Sequence, residues 1–387
     1  MTELTSIASA SGAYGKTARF VGAEIFRGSS YGEAHPLRVP RVSTVMDLGR
    51  DLGWLPAGQY LTSPRAKKLA LSLWHDPAYL DALEAAERTG RVSDAVRRRH
   101  NLGTASNPVY PEVFRRPATA AGGSLMAAGL LMGGGIVHNP GGGTHHGMPD
   151  RANGFCYLND PVLAMLEFRR RGLSRIAYVD IDAHHCDGVA HAFCDDPDIL
   201  MISTHEAGRW PYTGALDERG AGEMWNLPLP KGAGDADMDA ALDLLILPRL
   251  QAFRPEAIVF QCGADAVEED PLSRLAMSNA AHRRVAAALI GMAPRLLVLG
   301  GGGYNPWSVA RLWTGIWATL SGREIPARLP APAEAILRAL TFSHHRLGRN
   351  QPEHWFTTLA DPPRPARSDP DVRAALSVLA GRARPWV

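Results

Sequence analysis

Six short runs of Val, Ile and Leu, each followed by a longer stretch with apolar residues at helical spacing, restrict this chain more than any other feature. The runs are RFVGAEI (19–25), GGIVHN (134–139), RIAYVDI (175–181), DILMIST (198–204), EAIVFQC (256–262) and RLLVLGG (295–301). Between them lie PVLAMLEFRRRG (161–172), DMDAALDLLILPRLQAF (237–253) and SRLAMSNAAHRRVAAALIGMA (273–293). Strands that are apolar throughout are covered on both faces. Interleaved with helical stretches, they predict an α/β fold: a mostly parallel sheet with helices on both sides.

With 387 residues, 45% of them apolar, the chain can bury a large core. No repeat or low-complexity linker divides it. The only composition shift is DPPRPARSDP (361–370), followed by the helix-like DVRAALSVLAG. The expected organisation is a flexible segment 1–18, one catalytic domain 19–345 and a C-terminal extension 346–387. Basic and acidic residues, 41 and 39, are scattered and leave a net charge of +2. That distribution argues against nucleic acid or an anionic membrane as partner, and Arg97, Arg98 and Arg99 read as a solvated helix end. The N-terminal MTELTSIASASGAYG has no basic and apolar signal pattern, and no run of eighteen apolar residues occurs, so a cytoplasmic location is expected. Cys156, Cys186, Cys194 and Cys262 lack CxxC spacing and read as reduced thiols.

Ligands of open parallel sheets gather at the carboxyl ends of strands, and three chemical clusters stand there. The first is DIDAHHCDG (180–188). If the extended geometry continues past Val179, Asp180, Asp182 and His184 share one face and can present oxygen and nitrogen to a metal ion. The plainer alternative is a set of caps at a strand-to-helix turn. Asp265, after the run 256–262, is the best further ligand. Two carboxylates and an imidazole leave a coordination place open, as in catalytic sites where Zn²⁺ lowers the pKa of bound water to about 7. The second cluster, NPGGGTHHG (139–147), offers His145 and His146 as acid and base groups. The third, LGGGGYNP (299–306), carries Tyr304, whose phenol can donate to a developing oxyanion.

Together, HPLRVPRV (35–42), GGGTHHG (141–147), NGFCYLND (153–160), DIDAHHCDG, CGADAVEEDP (262–271) and LGGGGYNP resemble the zinc-dependent histone deacetylase superfamily. The bacterial acetoin-utilization deacetylase branch is the nearer likeness. The resemblance implies the arginase-deacetylase fold, a three-layer sandwich. It makes Asp182, His184 and Asp265 the ligands of one zinc ion, His146 the general base and Asp187 the residue that orients it. Asp180 would pair with His145 beside the leaving amine, and Tyr304 would hold the substrate carbonyl. Phe155 and Trp210, with Gly154 between them, match the walls of a tunnel, and Leu272 and Ser106 its rim. Arg41 matches an arginine at an internal acetate-exit cavity. Asp180, Asp182, His184, Ser203 and Thr204 match a structural K⁺ site. Val267 stands where the arginase-like relatives need an acid for a second metal, which favours a single metal.

The implied activity is release of a short acyl group, most simply acetyl, from an N-acylated amine such as acetyl-lysine. One departure bears on substrate. Ser106 stands where histone-type relatives carry an Asp that grips the peptide backbone, with Asn107 beside it as a possible stand-in. A hydroxyl grips less firmly than a carboxylate, which opens the alternative of a free small molecule such as an acetylpolyamine. A third reading, an idle binding protein on the same fold, is separated from both by the turnover of a Tyr304→Phe variant.

Overall fold

A single eight-stranded sheet, parallel at every pairing, organises the molecule. Its strands are β1 (Arg19–Gly22), β2 (Tyr60–Thr62), β3 (Gly135–Asn139), β4 (Ile176–Asp180), β5 (Ile199–Glu206), β6 (Glu223–Leu229), β7 (Ala257–Gln261) and β8 (Arg295–Leu299). They lie in the order β2-β1-β3-β8-β7-β4-β5-β6. The computed structural model describes residues 18–32, 34–344, 347–364 and 368–382. The segment 1–17, nearly all of the N-terminal stretch expected to be flexible, lies outside them.

All six apolar runs are strands, and they fill the six interior positions of the sheet. Successive side chains point to opposite faces and each face is packed. Ala177 and Val179 of β4, Ile258 and Phe260 of β7, and Leu296 and Val298 of β8 join one core cluster. Helices Val42–Asp51, Asn279–Leu289 and Pro306–Ser321 cover it. Ile176 and Tyr178, Ala257 and Val259, and Leu297 and Leu299 point the other way, against helices Arg115–Leu130, Asp160–Arg170 and Asp187–Phe193. This is the three-layer α/β sandwich expected. Each fully buried Leu, Ile or Val contributes roughly 1.5–3 kcal/mol, so occupation of both faces fixes the strand register.

The stretch 273–293 differs from its expected form. Its helix begins only at Asn279, where the Ser278 hydroxyl accepts from the Ala280 amide at 3.1 Å. Residues ahead of it run extended and bond to the turn after β6, through Gly232 N to Arg274 O and Ala276 N to Ala233 O, both 2.8 Å. Described residues near the C-terminus pack against the sheet's core. Trp355, Leu359, Val372, Leu376 and Leu379 are buried in the first core cluster, and Asp361 pairs with the buried Arg311 at 2.7 Å. Among the described residues no helix is long and apolar enough to cross a membrane.

The strand order decides where chemistry collects. Strands β3, β8, β7 and β4 are consecutive neighbours, yet they come from distant parts of the chain. The segments leaving their carboxyl ends carry His145 and His146, Tyr304, Asp265, and Asp182 with His184, respectively. The fold thus brings all three clusters to one edge of the sheet.

Candidate active site

Strand β4 stops at Asp180, so continued extension is not what aligns the first cluster. A chain of side-chain turns does. Asp180 Oδ1 accepts from the Asp182 amide at 2.9 Å, and Asp182 Oδ1 accepts from the His184 amide at 3.0 Å. Each acid binds the amide two residues on, the local bond Asp favours in turns. Asp182 and His184 are thereby set toward the end of β7, while Asp180 turns to a different partner.

At that end His184 Nδ1 lies 2.9 Å from Asp265 Oδ2 and 3.3 Å from Asp182 Oδ1. Ligand atoms of the three residues all fall within 4.8 Å of one another, and all three residues are buried. Backbone amides fix the carboxylates: Gly302 N donates to Asp182 Oδ2 at 2.7 Å, and Ala183 N to Asp265 Oδ1 at 2.9 Å. A Cβ on Gly302 would fall 1.9 Å from Asp265 Oδ2, so this approach requires glycine. Burial raises the Asp265 carboxyl, and the charge of Asp182 raises it further. Burial opposes a charge on His184 too, but its bonds to Asp182 and Asp265 prevail and lift it to about 10. Such a cluster calls for positive charge. Two carboxylates and an imidazole are a donor set that Zn²⁺ accepts, and a divalent ion would answer the need a proton on His184 otherwise meets.

Two imidazole–carboxylate pairs stand beside the cluster, their rings 4.0 Å apart. His145 Nδ1 is 2.8 Å from Asp180 Oδ2, and His146 Nδ1 is 2.6 Å from Asp187 Oδ1. Their environments separate them. Burial disfavours a charged His145, yet Asp180 and Asp182 outweigh it and lift the imidazole to about 9. Burial first, and the neighbouring His145 second, push His146 down to about 4. Burial raises the Asp180 carboxyl, and the bonds from His145 and from the Tyr178 hydroxyl, the latter at 2.6 Å, oppose that rise.

Above the cluster opens a pocket of about 700 Å³. His146, His184, Gly154, Phe155, Trp210, Leu272 and Tyr304 line it, with Ser106 exposed at its mouth. Trp210 stands edge-on to His146 at 4.7 Å, and Phe155 edge-on to Tyr304 at 6.0 Å. Gly154 has φ of 52°, and a Cβ there would fall 2.2 Å from the Trp210 ring. Burial, and then Asp265, raise the Tyr304 phenol well above its ordinary value, so it keeps its proton as a donor. Beneath lies a cavity of about 30 Å³ lined by Arg41, Tyr31, His145 and Tyr304. Arg41 donates to the Gly301 carbonyl at 2.7 Å.

The histone deacetylase domain family matches residues 35–320. The acetoin utilization protein AcuC of Bacillus subtilis (strain 168) is 32% identical over 312 residues, spanning 77% of this chain and 80% of that protein. This chain belongs to the histone deacetylase family. Histone deacetylase 1 of Homo sapiens is 32% identical over 309 residues, which span 78% of this chain and 64% of the human protein. Among solved structures, an HDAC homolog complexed with SAHA superposes with a TM-score of 0.89 at 33% identity, covering 94% of this chain and 99% of that one. The HDAC homolog from Aquifex aeolicus gives 0.88 over the same shares. Fold and family together make the chain a deacetylase-type hydrolase acting on amide C–N bonds.

Against that family background, several supports escaped the sequence reading. Asn153 Nδ2 donates to Asp187 Oδ2 at 2.9 Å and to the His146 carbonyl at 3.2 Å. Asp270 accepts from the amides of Tyr304, at 2.7 Å, and Leu272, at 2.9 Å. Asp160 accepts from the Gly143 and Thr144 amides at 2.9 and 2.8 Å, holding the loop that carries both histidines. Each stands inside a quoted motif, and the partner that ties it to the site (Asp187, Tyr304 or Gly143) is distant in sequence, so no local pattern announces it. Asn107 corrects an expectation. It is buried, its Oδ1 accepts from the Phe155 amide at 3.1 Å, and its Nδ2 donates to Asn101 O at 3.2 Å, so it does not replace the missing rim carboxylate.

Proposed function

We propose that this chain is a zinc-dependent amidohydrolase that removes a short acyl group, acetyl most simply, from an N-acylated amine such as acetyl-lysine. The observation that carries the reading is the meeting of Asp182, His184 and Asp265 within 4.8 Å, with His184 lining the same pocket as His146 and Tyr304. A Zn²⁺ held by the three side chains would supply Lewis-acid polarisation of the acyl carbonyl and acidify the attacking water.

The remaining work falls to the chain. Asp187 fixes His146 Nδ1, which leaves Nε2 to take a proton from the attacking water and return one to the amine as the C–N bond breaks. A neutral His146 beside a charged His145 is the division of labour this needs: the first accepts a proton, the second offers positive charge near the leaving group. The Tyr304 hydroxyl donates to the carbonyl oxygen as negative charge develops. Phe155, Trp210 and Leu272 exclude water around an alkyl arm. Arg41, at the cavity beneath, attracts the released carboxylate. A structural K⁺ near Asp180, Asp182, His184, Ser203 and Thr204 belongs to the same reading, supported by a buried Thr204 hydroxyl without a hydrogen-bond partner among the described residues. Four unpaired cysteines fit a reducing, cytoplasmic compartment.

The test is acetate release from acetylated substrates by purified protein before chelation, after it, and after return of Zn²⁺. Loss and recovery of turnover are expected. Turnover indifferent to chelation with the metal demonstrably removed contradicts the reading. A second reading keeps the chemistry but moves it to free small molecules, such as acetylpolyamines or other acetylated metabolites. Ser106 at the mouth favours it, because neither it nor the committed Asn107 offers a peptide backbone a charged acceptor. A large preference for acetyl-lysine peptides over free acetylated amines would remove this second reading.

A further inference from the structure

The mouth of the pocket carries a charge pattern that amide hydrolysis itself does not require. Glu206 is the single carboxylate in the pocket lining, against three cationic side chains, Arg209, Lys231 and Arg274. Glu206 is buried and already committed. Its Oε1 accepts from Arg209 at 2.8 Å, and its Oε2 accepts from Arg209 Nε and from the Arg274 amide. Glu206 and Arg209 therefore cancel. Lys231 and Arg274 remain, both exposed, and neither forms an ion pair among the described residues.

The backbone sets these two cations side by side. Gly232, next to Lys231, donates its amide to the Arg274 carbonyl at 2.8 Å, and Ala276 donates to Ala233 O at 2.8 Å. The turn after β6 and the segment leading to helix Asn279–Leu289 thus present Lys231 and Arg274 on one stretch of rim. The one carboxylate in the pocket lining, Glu206, is taken up by Arg209, and the rim position of Ser106 is neutral.

We propose that this cation pair selects acylamino carboxylates: small molecules with a carboxylate separated by an alkyl spacer from the acylated nitrogen. Cationic amides such as acetylpolyamines are disfavoured by the same two charges. The proposal rests on the deacylase reading above and names the substrate class of that site. The alkyl spacer fills the slot beside Phe155 and Trp210, while the carboxylate stays at the wet mouth, where Arg274 can grip it with two N–H donors and Lys231 adds a point charge.

Three substrates of matched length test it: 6-acetamidohexanoate, N-hexylacetamide and N-acetylcadaverine, which are anionic, neutral and cationic. With Zn²⁺-loaded protein at low salt, kcat/KM is expected to fall in that order, with roughly ten- to a hundredfold between anion and cation, because each exposed charge contact is individually modest. Raising the ionic strength shrinks the ratio through screening. In a Lys231→Gln/Arg274→Gln double variant the anion-to-cation ratio falls toward one. Equal rates on anion and cation, or a ratio unchanged in the double variant, would overturn the proposal. Calorimetric binding of the same compounds to Zn²⁺-loaded Tyr304→Phe protein reads the rim without turnover. Tighter binding of the anion by this variant, with no hydrolysis of any of the three compounds by the Zn²⁺-loaded parent protein, keeps the rim and sinks the deacylase reading. Equal Kd values for anion and cation sink the rim, whether or not hydrolysis occurs.

Discussion

The floor and the mouth of the pocket are held in opposite ways, and the contrast separates chemistry from selection. On the floor, Asp182, Asp265 and Asp187 each accept from backbone amides as well as from an imidazole, and all but Asp187 are fully enclosed. At the mouth, Lys231 on a turn and Arg274 on the extended segment before helix Asn279–Leu289 are exposed, and Ser106 offers only a hydroxyl. Buried, satisfied polar groups hold reacting atoms in place because any shift strands a donor or an acceptor. Exposed charges act through weaker fields that salt can screen. Changes on the floor should therefore cost turnover on every substrate, and changes at the mouth should alter the ranking of substrates.

The largest effects test the first half of that contrast. His146→Ala removes the proton acceptor and is expected to lower kcat on all substrates by about 10²–10⁴-fold, measured by acetate release. Tyr304→Phe should cost roughly 10²–10³-fold in kcat with a smaller change in KM, since the phenol acts as charge develops. A full rate in either variant would remove that residue from the chemistry. Asp270→Asn is subtler. The carboxylate receives two amides, from Tyr304 and Leu272, and an asparagine supplies one acceptor oxygen, so about 1–3 kcal/mol of stability should be lost. A lowered thermal midpoint together with reduced kcat is expected, and an unchanged midpoint would contradict this role. The smallest effect belongs to the mouth. Ser106→Asp should raise kcat/KM on acetyl-lysine peptides about severalfold relative to free acetylated amines, because a charged acceptor strengthens bonds to peptide amides. A ratio that does not move would show that the mouth does not read peptide backbones.

The same division governs what the sequence discloses. The six interior strands are legible because each carries a run of apolar residues packed on both faces of the sheet. The two edges are not. β2 has three residues, and β6, EMWNLPL, includes Pro228, which an edge tolerates and an interior strand does not. Apolar Leu275 and Met277 mimic a helical stretch, but they pack as extended chain ahead of Ser278. In the site, the residues legible as ligands and bases are those whose chemical types crowd together after a strand. Asn153, Asp160 and Asp270 serve partners 34, 17 and 34 residues away, and only the fold reveals those pairings. Rim cations are harder still to read, since lone Lys and Arg residues are ordinary on any surface.

The claim beneath the whole account is that Asp182, His184 and Asp265 hold one divalent ion together. Zinc content per chain, measured by elemental analysis of purified protein alongside Asp182→Ala and Asp265→Ala variants that keep the parent's circular dichroism, tests it directly. The account predicts one zinc per parent chain and its loss from both variants. Retention of zinc by both folded variants, or a parent chain that takes up none when supplied with Zn²⁺, would contradict it.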